Sequence, residues 1–149
     1  MKFEVYCDET LPDLFTSAHP CGRYLMIGSL WLPAELRPAL KARITQLRDL
    51  HNVHGEMKWR KISPSRQAFH IDLIDVFMSF GLDLRFRCIA VDSTEMKVGM
   101  HNGDAELGFY KLYYQVLHHW ILDNNNYTFF CDLIPKPRDC ASGGIPRRG

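Results

Sequence analysis

Two short segments place an aspartate in the same context near opposite ends of the chain. "YCDET" contains Cys7 and Asp8, and "FFCDLI" contains Cys131 and Asp132. Both segments follow or complete short apolar runs of the kind that form strands. If these strands are neighbours, the two carboxylates repel each other unless a cation lies between them. Because Mg²⁺ and Mn²⁺ bind carboxylate oxygens and support phosphodiester hydrolysis, we predict that Asp8 and Asp132 are metal ligands. The alternative is that each aspartate only terminates a strand.

Three glutamates are candidates for a further ligand. Glu56 lies in "GEMKW", where Lys58 is predicted to contact a substrate phosphate; a surface ion pair is the alternative for this segment. Glu106 opens a predicted helix, where an acid also complements the helix dipole. Glu9 directly follows Asp8, so it reaches the same ion only if the backbone turns there. The predicted metal-ligand candidates are Asp8, Glu56, Asp132 and Glu106.

The elements that would position these residues follow from apolar periodicity and from boundary residues. Strands are predicted at 3–7, 23–32, 82–92 and 127–134, and helices at 33–51, 64–80 and 105–122. Pro38 is expected to delay or bend the start of the first helix, and Gly81 is expected to end the second. Ser63 and Pro64 are expected to be the N-cap and first residue of the second helix.

The last predicted helix, 105–122, is expected to cover the face of the sheet that carries the two thiols. Its apolar stripe is predicted to run through Leu107, Tyr110, Tyr114, Leu117 and Ile121. Because side chains alternate along a strand, Cys7 and Cys131 would face this helix, while Asp8 and Asp132 would face the other side. Both thiols are therefore expected to be buried, inert small hydrophobes.

The order of the elements predicts an α/β fold of ribonuclease H-like type. With 33–81 treated as a helical insertion between β2 and β3, the remaining order is β1-β2-β3-αA-β4. This order describes an antiparallel meander, a right-handed crossover helix and a strand parallel to the first, which together make a mixed sheet. The crossover would bring the carboxyl ends of the first and last strands side by side. We predict a single domain over 1–134 and an irregular tail over 135–149.

The composition is that of a globular protein and limits the function classes. The chain has 149 residues, of which 46% are apolar and 23% charged, with a net charge of +1. Its sequence lacks the glycine-rich nucleotide motifs and the nucleophile-elbow motif, which argues against dinucleotide, P-loop and esterase chemistry. The sequence has neither an apolar leader nor a long apolar run, so we expect a cytoplasmic protein with no membrane partner. In that compartment the five cysteines are expected to be reduced.

The order of these short motifs resembles that of the bacterial domain-of-unknown-function family 3800. "YCDET", "GEMKW", "GFYKLYYQVL" and "FFCD" are similar to the family's N-terminal Asp-Glu pair, its Glu-x-Lys segment and the Asp of a later strand. The family is grouped with ribonuclease H-like folds, so the resemblance implies nuclease ancestry. It also implies a catalytic set, which is Asp8, Glu9, Glu56, Lys58 and Asp132.

The sequence departs from the family near its C-terminus and leaves two functions open. The family's Gln-x-x-Asp motif is missing, so we expect a truncated member without its last elements. The first predicted function is a Mg²⁺- or Mn²⁺-dependent nuclease acting on RNA or DNA, with "KWRK" at 58–61 and Arg66 as a basic, aromatic contact. A solvated charged loop is the alternative for this cluster. The second is a non-catalytic module that binds nucleic acid or protein. Uncovered aromatics such as Trp120, Phe129 and Phe130 are expected to favour homo-oligomers.

Overall fold

The computed structural model describes residues 1–10, 23–57, 62–92 and 105–131, without the side chains of Ala105 and Glu106. The strands are β1 Lys2–Thr10, β2 Tyr24–Pro33, β3 Arg85–Asp92 and β4 Asn126–Cys131. The helices are α1 Arg37–Leu50, α2 Gln67–Ser79 and α3 Ala105–Leu117. The chain therefore has an α/β fold, in which the four strands form one mixed sheet in the order β3-β2-β1-β4.

Strands β1 and β4 run parallel, as their side-chain pairs demonstrate. The rings of Phe3 and Tyr127 stack with their centroids 5.5 Å apart. The rings of Tyr6 and Phe130 stack at 4.7 Å. Both pairs are separated by the same number of positions in the sequence, which is the signature of a parallel register. The Asn126 N–H donates to the Met1 carbonyl over 3.0 Å at the start of this pairing.

Strands β1, β2 and β3 form an antiparallel meander. The Met26 N–H donates to Thr10 Oγ1 over 3.1 Å, so the start of β2 lies beside the end of β1. Arg23 binds Asp92 at one end of the β2–β3 pair. Further along β2 and further back along β3, Ser29 Oγ donates to the Arg87 carbonyl over 3.3 Å. Each of these strands therefore runs opposite to its neighbour. In the sequence, α3 lies between β3 and β4.

The described residues form two compact units. The first contains Met1–Val5, Leu30–Arg85 and Asn124–Thr128, and the remaining described residues belong to the second. In the first unit, α1 is joined to α2 by a contact of 2.6 Å between His51 and Asp72. Its buried apolar residues are Val5, Trp31, Leu32, Val53, Phe69, Val76 and Leu84.

The core of the second unit lies between α3 and one face of the sheet. Leu25 and Ile27 from β2 pack with Phe109 and Val116 from α3. The partly buried residues around them are Ile89, Val91, Leu112, Tyr113 and Leu117. All the strand residues in this core have odd numbers, because alternate side chains share one face. Glu9, two residues after Cys7 on β1, contacts Tyr113 of α3, so Cys7 lies on this face as well.

The predicted apolar stripe of α3 is wrong for most of its residues. Leu107, Tyr110, Tyr114 and Ile121 are exposed, whereas Phe109 and Val116 are buried. The helix carries apolar side chains on nearly every side, so the 3.6-residue period fits more than one face. The helix also ends at Leu117, and a short 3₁₀ turn follows it.

The boundary residues of the other helices act as predicted in part. A 3₁₀ turn, Ala34–Leu36, precedes α1, and Pro38 lies within the first two positions of the α-helix, so it delays the start. Ser63 is extended and precedes a 3₁₀ turn, Pro64–Arg66, without a capping hydrogen bond from its side chain. The prediction that Ser63 and Pro64 open the second helix is therefore wrong, because α2 begins at Gln67. Gly81 follows α2 with a positive φ of 56°, a conformation in which a side chain is strained. The described helices include none that is both long enough and apolar enough to cross a membrane.

Candidate functional site

The carboxyl end of β1 presents Cys7, Asp8 and Glu9 on alternating sides of the sheet. The strand continues to Thr10, so the turn that would bring Glu9 beside Asp8 is not formed. Asp8 is exposed on the face opposite α3. Its Oδ1 accepts the N–H of Glu9 over 3.0 Å. Among the described residues, this is the hydrogen bond that the Asp8 carboxylate accepts. Its second oxygen, Oδ2, remains available to another ligand.

Glu9 contacts α3 instead of sharing the face of Asp8. The Tyr113 hydroxyl donates to Glu9 Oε2 over 2.5 Å. Burial raises the pKa of Tyr113, and the hydrogen bond to Glu9 raises it further, so this hydroxyl stays protonated. Sequence reasoning did not select Tyr113. Its partner Glu9 is 104 positions away in the sequence, so no local pattern marks Tyr113.

The two cysteines that precede the aspartates are neighbours, as the predicted strand pairing requires. Cys7 lies on β1 and Cys131 on the neighbouring strand β4, and the two thiols interact. Cys7 is buried, and burial together with Cys131 and Glu9 raises its pKa from 9.0 to about 12. A thiol in this state is a poor nucleophile, which agrees with the prediction for Cys7. Cys131 is exposed, so the expectation that both thiols are buried is wrong for this one.

The exposure of Cys131 follows from its place in the sheet. β1 lies between β2 and β4, whereas β4 is the last strand of the described order. Nearly every residue of β4 is exposed, including Phe129 and Phe130. The expected exposure of these two rings is confirmed, and self-association through them stays a prediction.

The other predicted site residues are not brought together by the described part of the chain. Asp132 and Lys58 lie outside the described residues, as does the side chain of Glu106. Glu56 is exposed in the turn after α1, in the first unit. Arg48 donates to the Gly55 carbonyl in that turn. Among the described side chains, no group of three histidines, cysteines, aspartates or glutamates has the arrangement of a metal site.

A further acid at a strand end was missed by sequence reasoning. Asp92 ends β3 and binds Arg23, with 2.7 Å between the Arg23 nitrogen and the Asp92 Oδ2. The hydrogen bond to Asp92 raises the pKa of the exposed Arg23 guanidinium. This carboxylate is therefore already paired with a cation, whereas Asp8 has no such ion pair among the described residues. The pairing of Asp92 joins it to Arg23, which is 69 positions away in the sequence. The local sequence around Asp8 and Asp92 therefore could not show which of the two aspartates is paired.

The face of the sheet that carries Asp8 has several exposed side chains in the described part of the second unit. Met26, Phe86 and Phe130 are exposed on it, and Tyr6 stacks on Phe130. The Phe86 ring lies so close to Gly28 that a β-carbon there would be 3.2 Å from it. The described surroundings of Asp8 are thus aromatic and accessible.

Comparison of the chain with protein-family models, with curated proteins and with solved structures found no match in any of the three. The resemblance to family 3800 therefore stays a prediction, and the functional argument depends on the geometry of the chain itself.

Proposed function

We propose that this chain is a nuclease domain of ribonuclease H-like type that depends on Mg²⁺ or Mn²⁺. Asp8 and Asp132 would hold the ion at the carboxyl ends of β1 and β4. Glu106 is the candidate for a further ligand in the second unit, and the roles of Glu56 as a ligand and of Lys58 as a phosphate contact stay predictions from the sequence. Glu9 would act indirectly, because it holds Tyr113 on the opposite face of the strand.

The observation that carries the proposal is the register of β1 against β4. Phe3 pairs with Tyr127 and Tyr6 pairs with Phe130. Cys7 and Cys131 continue the same spacing. One residue further along both strands, this spacing predicts that Asp8 and Asp132 lie opposite each other. The strand order β3-β2-β1-β4 also supports the fold type, since it follows from a meander, a crossover helix and a parallel strand.

The chemistry of Asp8 fits a hard divalent cation. Its carboxylate is exposed, and one oxygen is turned by the Glu9 N–H. Backbone orientation of a ligand carboxylate in this way favours metal binding, because it fixes the direction of the second oxygen. When bound, Mg²⁺ or Mn²⁺ supplies an activated water and neutralises charge on a phosphodiester. The open aromatic face around Asp8 suits a nucleic-acid substrate, because bases stack on aromatic side chains.

Cleavage of labelled oligonucleotides tests this proposal. Single-stranded RNA, single-stranded DNA and an RNA–DNA hybrid are incubated with the protein and Mg²⁺ or Mn²⁺, with a chelator as the blank. We expect cleavage of at least one substrate and a fall of about 100-fold or more for Asp8→Asn. Asp75→Asn is the matched control, because Asp75 is exposed on α2 and belongs to no proposed site.

Two outcomes would contradict the proposal. The first is metal-dependent cleavage that Asp8→Asn leaves unchanged, which would remove Asp8 from the reaction. The second is binding of an oligonucleotide without cleavage by the wild-type protein under any of these conditions. That result would favour the non-catalytic module.

A further inference from the structure

We propose that Cys7 and Cys131 form a redox modification site, in which an intramolecular disulfide forms by exchange with a small-molecule disulfide such as oxidised glutathione. The structure contains both residues as free thiols. The inference is independent of the proposed function, because neither thiol belongs to the proposed metal-ligand set.

The strand pairing favours a disulfide between the two cysteines. The two thiols belong to the neighbouring parallel strands β1 and β4 and interact with each other. Adjacent strands are about 4.8 Å apart, which falls within the range of about 4.4–6.8 Å between the Cα atoms of bridged cysteines. Their stacked neighbours, Tyr6 and Phe130, fix the register at the preceding position. The sulfurs can therefore be joined without a shift of one strand along the other.

The difference in exposure sets the order of the reaction. Only Cys131 is accessible, so its thiolate attacks the small disulfide and releases one small thiol. The product is a mixed disulfide at Cys131. Cys7 is a poor nucleophile towards reagents in solution, but the neighbouring strand holds its sulfur beside the mixed disulfide. This proximity lets Cys7 attack the Cys131 sulfur and release the second small thiol. Both cysteines are oxidised, two protons leave with the small thiols or the solvent, and one small disulfide is reduced to two thiols.

Cys88 supplies an internal comparison. It is exposed on β3, and its Sγ donates to the Ile89 carbonyl over 3.4 Å. The described part of the chain places no second thiol beside it. Cys88 should therefore react with oxidised glutathione and stop at the mixed disulfide, whereas Cys131 should go on to the intramolecular bond.

The test uses a variant that retains only the pair, C21S/C88S/C140S. The folded protein is incubated with oxidised glutathione and a chelator, then its mass is measured with and without a reductant. We expect the mass to fall by two hydrogens, with no glutathione adduct at the end point. We also expect the melting temperature to rise by about 5 to 10 °C, because the bond closes a long loop. Addition of reductant should reverse both changes.

Two further variants test each cysteine separately, so the proposal can still be contradicted if one variant does not fold. Adding Cys7→Ser to the background should leave one glutathione on Cys131, because the resolving thiol is gone. Adding Cys131→Ser should leave Cys7 unmodified until denaturant is added, because Cys7 is buried. A pair variant that accumulates the glutathione adduct, or that does not react at all, would overturn the proposal. The chelator removes divalent metal ions, so the outcome of this experiment does not depend on whether the protein is a metal-dependent nuclease.

Discussion

Strands β1 and β4 have nearly the same local sequence, yet their cysteines differ in burial. Each contains an aromatic residue followed by Cys, and in both cases Asp is the next residue of the sequence. In β1 the cysteine is buried, and in β4 it is exposed. β1 has a strand on each side, whereas β4 ends the described strand order. The contrast teaches that a local motif fixes which face a side chain takes, while the strand's place in the sheet fixes how deeply it is buried.

Substitution of the two cysteines gives the largest expected contrast. Cys7→Ser should lower the free energy of unfolding by about 2 kcal/mol, because it buries a hydroxyl in place of a thiol that packs as a small hydrophobe. Cys131→Ser should change it by about 0.5 kcal/mol or less, because its side chain is exposed. Urea unfolding under reducing conditions measures both values. Equal losses for the two variants would mean that the strands are buried alike.

The contrast should also be visible in alkaline solution. The folded state holds the Cys7 proton up to a pKa of about 12, whereas the ordinary value is 9.0. Between these values the unfolded state binds fewer protons, so stability falls as pH rises; below about pH 8 this contribution is constant.

The slope from this one thiol is at most about 1.4 kcal/mol per pH unit. Tyr113 adds to the loss above its ordinary value of 10.0, because its pKa is also raised. Urea midpoints between pH 8 and pH 10 should therefore fall less steeply in Cys7→Ala than in the wild type. Cys88→Ala is the control and should keep the wild-type slope, because Cys88 is exposed. A wild-type slope in Cys7→Ala would contradict the assignment.

A smaller effect is expected where α3 holds the end of β1. Tyr113→Phe removes the hydroxyl that donates to Glu9 and should cost about 1 kcal/mol. Tyr114→Phe, one residue on, is the control, because Tyr114 is exposed and its ring keeps the stack on His118. The same unfolding assay compares them. If the two variants lose equal stability, the bond from Tyr113 to Glu9 does not hold the strand.

The sequence was sufficient to predict the order and kind of the elements. Local signals determine the helix boundaries, since Pro38 delays α1 and Gly81 follows α2. The predicted placement of Cys7 and Cys131 on neighbouring strands is also confirmed. The α/β class and the antiparallel meander followed from the same signals.

The predictions that failed concern features set by distant residues. The buried face of α3 was predicted wrongly because apolar residues lie on nearly every side of the helix. Packing against Leu25 and Ile27 determines which of these residues are buried. The Arg23–Asp92 pair was missed for the same reason, since 69 positions separate its members. The exposure of Cys131 depends on the strand order and not on its neighbours in sequence.

The most direct test of the central claim is a calorimetric titration with Mn²⁺ under reducing conditions. If Asp8 and Asp132 together hold the ion, the wild-type protein binds Mn²⁺, and Asp8→Asn and Asp132→Asn each weaken binding by about tenfold or more. Asp75→Asn, the exposed control on α2, should bind as the wild type does. Unchanged Mn²⁺ affinity in Asp8→Asn, or no binding by the wild type, would contradict the claim.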